Sequence, residues 1–218
     1  MNISTRNLAA LPSASALEGI LRAYSLLDAI LCPEWEYRYY SFDQNWSDHE
    51  RMSSMRNGQG DHFFALFNDS GCFLKGFDQE SPMSPWKQKN NEVWDGLRDG
   101  VPECFAESLT EPAFDIPNTT FCIWQKDTDE QWNRANIVFP EGEDPDGSAH
   151  MLSILDGHRD SYANWAGDYY ETEIDRDAVA GILAGNAISS SLVHRLNPKQ
   201  SLPLMQDDLN SIGWPIEE

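Results

Sequence analysis

Residues 61–77 have the sequence DHFFALFNDSGCFLKGF, which carries the clearest structural signal in the chain. Two runs rich in aromatic and apolar residues, 61–67 and 72–77, flank the tetrad Asn68-Asp69-Ser70-Gly71. Aromatic side chains favour extended strands, whereas Asn, Asp and Gly favour the backbone conformations of a tight turn. The stretch therefore predicts an antiparallel β-hairpin with Gly71 at a positive φ.

Segments on both sides of this hairpin also contain residues that favour β-strands. Three further strands are predicted, at residues 35–42, 121–125 and 135–139. Short connections between strands favour antiparallel pairing, because a parallel pair needs a long crossover. In the Pro-rich stretch that follows the hairpin, residues 91–98 predict a helix capped by Asn91 and stopped at Gly100.

Apolar residues at helical spacing mark both ends of the chain. In the first helix, over residues 15–32, they are Leu17, Ile20, Leu21, Tyr24, Leu27 and Leu31. Ser13 or Ser15 can cap this helix and Pro33 ends it. Leu21, Tyr24 and Leu27 are expected in the core. Residues 148–213 predict several more helices, the last of which ends at Gly213.

Length and composition favour one domain. With 218 residues, 40% of them hydrophobic, the chain can bury one substantial core and is short for two. We predict a single α+β domain over residues 1–218, built on a mainly antiparallel sheet of about five strands. Its parts are the N-terminal helix 15–32, a β-rich region 35–139 and a helical region 148–213.

Export, membrane and redox signals are weak in this sequence. The first residues lack a basic segment followed by an apolar one, and the apolar stretch 17–32 is interrupted by charges. The four cysteines lie far apart without a C-x-x-C pair. We therefore expect a cytoplasmic protein with reduced thiols, no membrane contact and no cofactor.

Charge is the most unusual global property. The chain carries 36 acidic against 15 basic side chains, a formal net charge of −21, which disfavours direct binding to nucleic acid. Residues 127–178 are especially acidic, either as a solvated face or as a patch that attracts a basic partner. The predicted binding residues are Asp127, Asp129, Glu130, Trp132, Glu141, Glu143 and Asp144. Trp132 is expected to be partly exposed among the acids.

No catalytic or metal-binding motif is found in the sequence with the residue spacing that it requires. Residues 143–147 resemble a calcium loop, but Gly142 would occupy the first ligand position and Ser153 the twelfth, so we predict a turn and no metal site. Nucleophile-elbow and phosphate-loop motifs do not occur. The remaining catalytic candidates are Asp61, His62 and His49, on neighbouring β segments that could converge.

Two classes of function remain after these tests. The first, which we favour, is a non-catalytic acidic module that binds a basic protein, as an inhibitor or immunity-type protein blocks a nuclease. The second is a small enzyme or ligand-binding domain with a His/Asp site near the 61–77 hairpin, with or without a divalent metal. A cluster of perturbed titratable groups in a concave pocket would favour the enzyme.

Overall fold

A computed structural model describes residues 3–217 and contains one five-stranded antiparallel sheet. The strands are β1 (Tyr40–Ser47), β2 (Glu50–Arg56), β3 (His62–Asn68), β4 (Gly71–Phe77) and β5 (Phe121–Lys126). Each strand pairs with the next one in sequence, so the order across the sheet is the order along the chain. The α+β architecture predicted from the sequence is confirmed.

Helices precede and follow the sheet. They are α1 (Ala14–Leu31), α2 (Ser148–Leu152), α3 (Arg159–Tyr169), α4 (Arg176–Leu183), α5 (Ser190–Leu196) and α6 (Gln206–Ile212). The Ser13 hydroxyl accepts a hydrogen bond from the Ala16 amide at the start of α1. Gly213, at φ 70°, ends α6 in the left-handed conformation expected of a C-terminal glycine. The helical regions therefore begin and end close to their predicted limits.

The hairpin of β3 and β4 is confirmed in register and in turn. Phe67 lies opposite Cys72, and Asn68 lies opposite Gly71. Gly71 has φ 132°, and a Cβ at this position would lie 2.1 Å from the Gln125 carbonyl oxygen. Both the backbone conformation and the approach of β5 therefore require glycine here.

One face of the sheet packs against α1 and the C-terminal helices to form the main core. Leu21, Tyr24 and Leu27 of α1 are completely buried in it, as predicted. Helix α1 also buries Ala23, Leu26 and Ile30, so it is covered on most of its circumference. Such a helix lies inside the domain rather than on its surface.

The opposite face of the sheet is covered by irregular chain between β4 and α2. Phe73 packs there with Phe105 and Trp124, and Leu66 packs with Phe114. Short 3-10 turns, among them Glu103–Phe105 and Pro112–Phe114, supply these covering side chains. Strand β4 is consequently buried along its whole length, on both faces.

Several element predictions were wrong. The strand expected at 35–42 begins only at Tyr40, because Trp35–Tyr37 forms a 3-10 turn, and residues 135–139 contain no strand. The strands thus occupy residues 40–126 instead of the predicted 35–139. The helix over 91–98 does not form, and Gly96, within the predicted span, has φ 73°, a left-handed conformation that interrupts a right-handed helix.

Strand β2 (Glu50–Arg56) was not predicted at all. Its sequence, ERMSSMR, lacks β-branched and aromatic residues, and its pairing with β1 and β3 on both sides supplies the stability that its composition does not. Within residues 3–217, no helix is long and apolar enough to cross a membrane.

Leu21→Ala should lower the free energy of unfolding by about 2 to 5 kcal/mol, because it leaves a cavity beneath the sheet. Leu204→Ala is the matched control: the Leu204 side chain is 73% exposed, and its loss should change stability by less than about 0.5 kcal/mol. Denaturant titrations of both variants measure the difference. Equal losses in the two variants would contradict the placement of α1 in the core.

Candidate functional site

His49 and His62 do not converge. His49 lies in the turn between β1 and β2, whereas His62 pairs with Arg56 at the far end of β2. Six residues of extended chain separate these ends, a distance of about 20 Å. The structure therefore brings together only the adjacent pair Asp61 and His62 of the three catalytic candidates.

Asp61 holds the loop between β2 and β3. Its carboxylate accepts hydrogen bonds from the Asn57 side-chain amide at 2.7 Å and from the Gln79 backbone amide at 3.0 Å. The Asn57 side chain in turn accepts hydrogen bonds from the backbone amides of Gln59 and Asp61. These contacts give Asp61 a structural role as the acceptor that closes this loop.

His62 contacts a buried lysine. Its Nδ1 lies 3.0 Å from the Gly60 carbonyl oxygen, and its Nε2 lies 3.0 Å from the Lys75 Nζ. Because a carbonyl oxygen can only accept, Nδ1 carries the proton and Nε2 accepts from Lys75. The Lys75 ammonium also donates to the Asn118 carbonyl oxygen at 2.7 Å and to that of Asp115 at 3.3 Å.

Burial controls the protonation of both partners. Desolvation and the nearby Lys75 lower the pKa of His62 to about 4, and desolvation lowers the pKa of Lys75 to about 7. A general base near neutral pH needs a lone pair directed at its substrate. The Nε2 lone pair of His62 instead faces Lys75, which is completely buried. The pair therefore anchors the loop at Asp115 and Asn118 to the sheet.

The antiparallel order gathers acidic residues at one end of the sheet, which we call the acidic end. It consists of Asp48 after β1, Asp69 in the β3–β4 turn, and Asp127 and Glu130 after β5, all exposed. Pairing of Gly71 with Lys126 brings the last two segments together, and the Asp127 amide donates to the Ser70 carbonyl oxygen at 3.0 Å. Of the predicted binding residues, Asp127 and Glu130 lie here.

Other predicted binding residues support local structure. Asp129 accepts hydrogen bonds from the Lys126 amide and the Asn133 side chain, and Asp144 accepts from the first amides of α2 at Ala149 and His150.

Glu141 and Glu143 are exposed but lie away from the acidic end, in the loop that precedes α2. This loop reaches the start of β5, where the Thr120 hydroxyl donates to the Asp146 carbonyl oxygen. The predicted carboxylates thus divide between the two ends of β5, about 20 Å apart.

The expected exposure of Trp132 was wrong. Only 5% of this residue is accessible, and its indole N–H donates to the Pro12 carbonyl oxygen at 2.7 Å. Trp132 stands among acidic residues in the sequence, which suggested an exposed position. In the fold it packs under the N-terminal segment, which is distant in sequence and gives no local signal. The well-exposed tryptophans are Trp35 and Trp86.

Few of the carboxylates are neutralised within the molecule. Across residues 3–217, those in ion pairs are Glu18, Glu80, Asp129, Asp160, Asp175, Asp177 and Asp208. Arg6, Arg22 and Arg134 donate to backbone carbonyl oxygens instead of carboxylates. Most of the negative charge of the chain therefore remains uncompensated and faces solvent.

The buried carboxylate of Asp28, on α1, forms hydrogen bonds with the chain at the start of β1, at the end of the sheet opposite the acidic end. It accepts hydrogen bonds from the backbone amides of Tyr39 at 3.0 Å and Tyr40 at 2.7 Å, and from the Tyr162 hydroxyl at 2.6 Å. The Tyr170 hydroxyl also lies near it but completes no hydrogen bond. Burial raises the pKa of Asp28 to about 6 despite these donors.

Asp28 thereby positions an aromatic cluster. The Tyr39 ring lies 4.7 Å from the Trp165 ring and 5.2 Å from the Tyr169 ring, centroid to centroid. The chain just before Tyr39 carries Trp35 and Tyr37, which are 54% and 63% exposed. The sequence did not predict the exposure of Trp35 and Tyr37, because residues 35–42 were assigned to a strand.

Among the described residues, no group of three or more His, Cys, Asp and Glu side chains is arranged to hold a metal ion. Comparisons of the chain with protein-family models, curated proteins and solved structures found no match. The site must therefore be interpreted from its own chemistry.

The His62 geometry has a measurable consequence. Because the pKa of His62 is lowered to about 4, its ring should stay neutral between pH 5 and pH 8, and its NMR resonances should show only the small shift transmitted by Lys75, whose pKa is about 7. Histidine side-chain spectra recorded over this range measure it, with His62→Asn to assign the signal. The full chemical-shift change of imidazole protonation, with a midpoint near the ordinary value of about 6.5, would show that the ring is solvated and available as a base.

Proposed function

We propose that the chain is a non-catalytic module that binds a basic protein through its acidic surface, as an inhibitor or immunity-type protein binds the enzyme that it blocks. The observation that carries this proposal is the uncompensated charge. A net charge of −21 exceeds what solubility requires, and few of the carboxylates in residues 3–217 pair with the chain's own cations.

The acidic end is the best-supported contact surface. Asp48, Asp69, Asp127 and Glu130 come from three separate turns, so the fold itself concentrates their charge. None of these four has an ion-pair partner within residues 3–217. Concentrated charge of one sign raises the association rate of an oppositely charged partner.

The enzyme alternative has less support. The Asp61 carboxylate accepts hydrogen bonds within its own loop, and His62 Nε2 accepts one from Lys75. Neither group is therefore directed at a substrate. We further propose a cytoplasmic location, supported by the four cysteines, all of which are free thiols. The same negative charge argues against direct contact with nucleic acid.

The test neutralises Asp48, Asp69, Asp127 and Glu130 together, as Asn or Gln. Wild type should capture basic proteins from the native cell at low salt and release them as the Debye length falls from about 30 Å at 0.01 M to about 10 Å at 0.1 M. The neutralised variant should capture less at every salt concentration. Asp129 and Asp144 are left unchanged because they hold local structure.

A control variant removes the same number of charges elsewhere, at Glu92, Asp95, Glu141 and Glu143, which are also exposed. It should capture almost as much as wild type. Equal capture by all three proteins would assign the charge to solubility alone. Equal losses in both variants would indicate that total charge matters and that no particular surface does.

A further inference from the structure

Three exposed aromatic residues lie at the end of the molecule that Asp28 organises. Trp35 and Tyr37 precede β1, and Tyr169 ends α3. A chain of contacts joins them: the Arg56 guanidinium lies over the Trp35 ring, the Arg56 amide donates to the Tyr39 carbonyl oxygen, and the Tyr39 ring touches Tyr169. Exposed Trp and Tyr are enriched where proteins bind partners.

Carboxylates flank these rings in the sequence. Glu34 and Glu36 flank Trp35, and Asp168 and Glu171 stand on either side of the Tyr169-Tyr170 pair; all four are exposed. Glu34 and Tyr170 also line the same groove, of about 490 Å³, between the end of α1 and the end of α3. We call these three rings and four carboxylates the aromatic–acidic surface. Lys199 also lines this groove.

The molecule shows how this surface accommodates a cation. The Arg56 guanidinium lies 4.1 Å from the Trp35 ring centroid, within the range of a cation–π contact. Even so, Trp35 remains 54% exposed, and the Tyr37 ring carries no stacked cation among the described contacts. Ring area next to unpaired carboxylates is therefore still open to further cations.

We propose that the aromatic–acidic surface binds arginine side chains of the basic partner. This inference rests on the proposed function. It adds that the partner's arginine side chains are the groups bound, and that the aromatic–acidic surface binds them. A guanidinium stacks on an aromatic ring and pairs with a carboxylate at the same time, whereas an ammonium ion is a compact, strongly hydrated charge. The surface consequently distinguishes arginine from lysine, which negative charge alone does not.

The test compares hexa-arginine with hexa-lysine, two peptides of equal charge, by titration calorimetry with the full chain in about 0.01 M salt, where electrostatic attraction is least screened. Wild type should bind hexa-arginine about threefold to tenfold more tightly than hexa-lysine. In the variant with Trp35→Ala and Tyr37→Ala, this preference should disappear. Trp86→Ala is the matched control, because Trp86 is also 54% exposed but packs against Phe77, outside this surface.

A second variant, with Glu34→Gln and Glu36→Gln, leaves the rings in place and should also weaken hexa-arginine binding by about threefold or more. It keeps the test valid if the double aromatic variant does not fold. An unchanged preference for arginine in both variants, or the same loss in Trp86→Ala, would overturn the inference.

The same experiments distinguish failure of the arginine inference from failure of the proposed function. If the peptides bind equally well and binding falls only when the acidic end is neutralised, the inference is overturned and the proposed function stands. Failure of wild type to bind either peptide would overturn both.

Discussion

The carboxylate of Asp28 joins three parts of the molecule at one buried point. It lies on α1 and accepts hydrogen bonds from two backbone amides at the start of the edge strand β1. It also accepts a hydrogen bond from the Tyr162 hydroxyl on α3. Burying an ionised carboxylate is costly unless hydrogen bonds compensate, and the three donors here offset only part of that cost, since the pKa of Asp28 stays raised. The packing of Tyr39 against α3, and hence the exposure of Trp35 and Tyr37 beside it, depends on this carboxylate.

The sheet separates two kinds of surface. Turns at one end collect Asp48, Asp69 and Asp127, whose charge acts over long distances. The end held by Asp28 presents aromatic rings beside carboxylates, which act only in contact. In the proposed function, long-range attraction sets the association rate of the basic partner, and short-range contacts set its dissociation rate. This division is consistent with the proposed inhibitor role, which requires fast association and slow dissociation.

Local sequence signals predicted the elements that depend on local chemistry. The 61–77 hairpin, helix α1 with its Ser13 cap and the stop at Gly213 follow from turn residues, spacing and capping. Strand β2 depends on its neighbours, and Trp132 is buried by a segment more than a hundred residues away, so neither carries a local signal. The grouping of Asp69 with Asp127 likewise follows from strand order, which composition does not encode.

The most direct test of the central role of Asp28 is the free energy of unfolding of wild type, Asp28→Ala and Asp28→Asn at pH 5 and pH 8. Asp28→Ala leaves three buried donors unpaired and should lose about 3 to 5 kcal/mol, more than Asp28→Asn. Burial raises the pKa of Asp28 from 3.8 to about 6, so the folded state holds this proton more tightly than the unfolded chain. The stability of wild type relative to Asp28→Asn should therefore fall by about 1 kcal/mol from pH 5 to pH 8. A loss below about 0.5 kcal/mol in Asp28→Ala, with no pH dependence, would contradict the account.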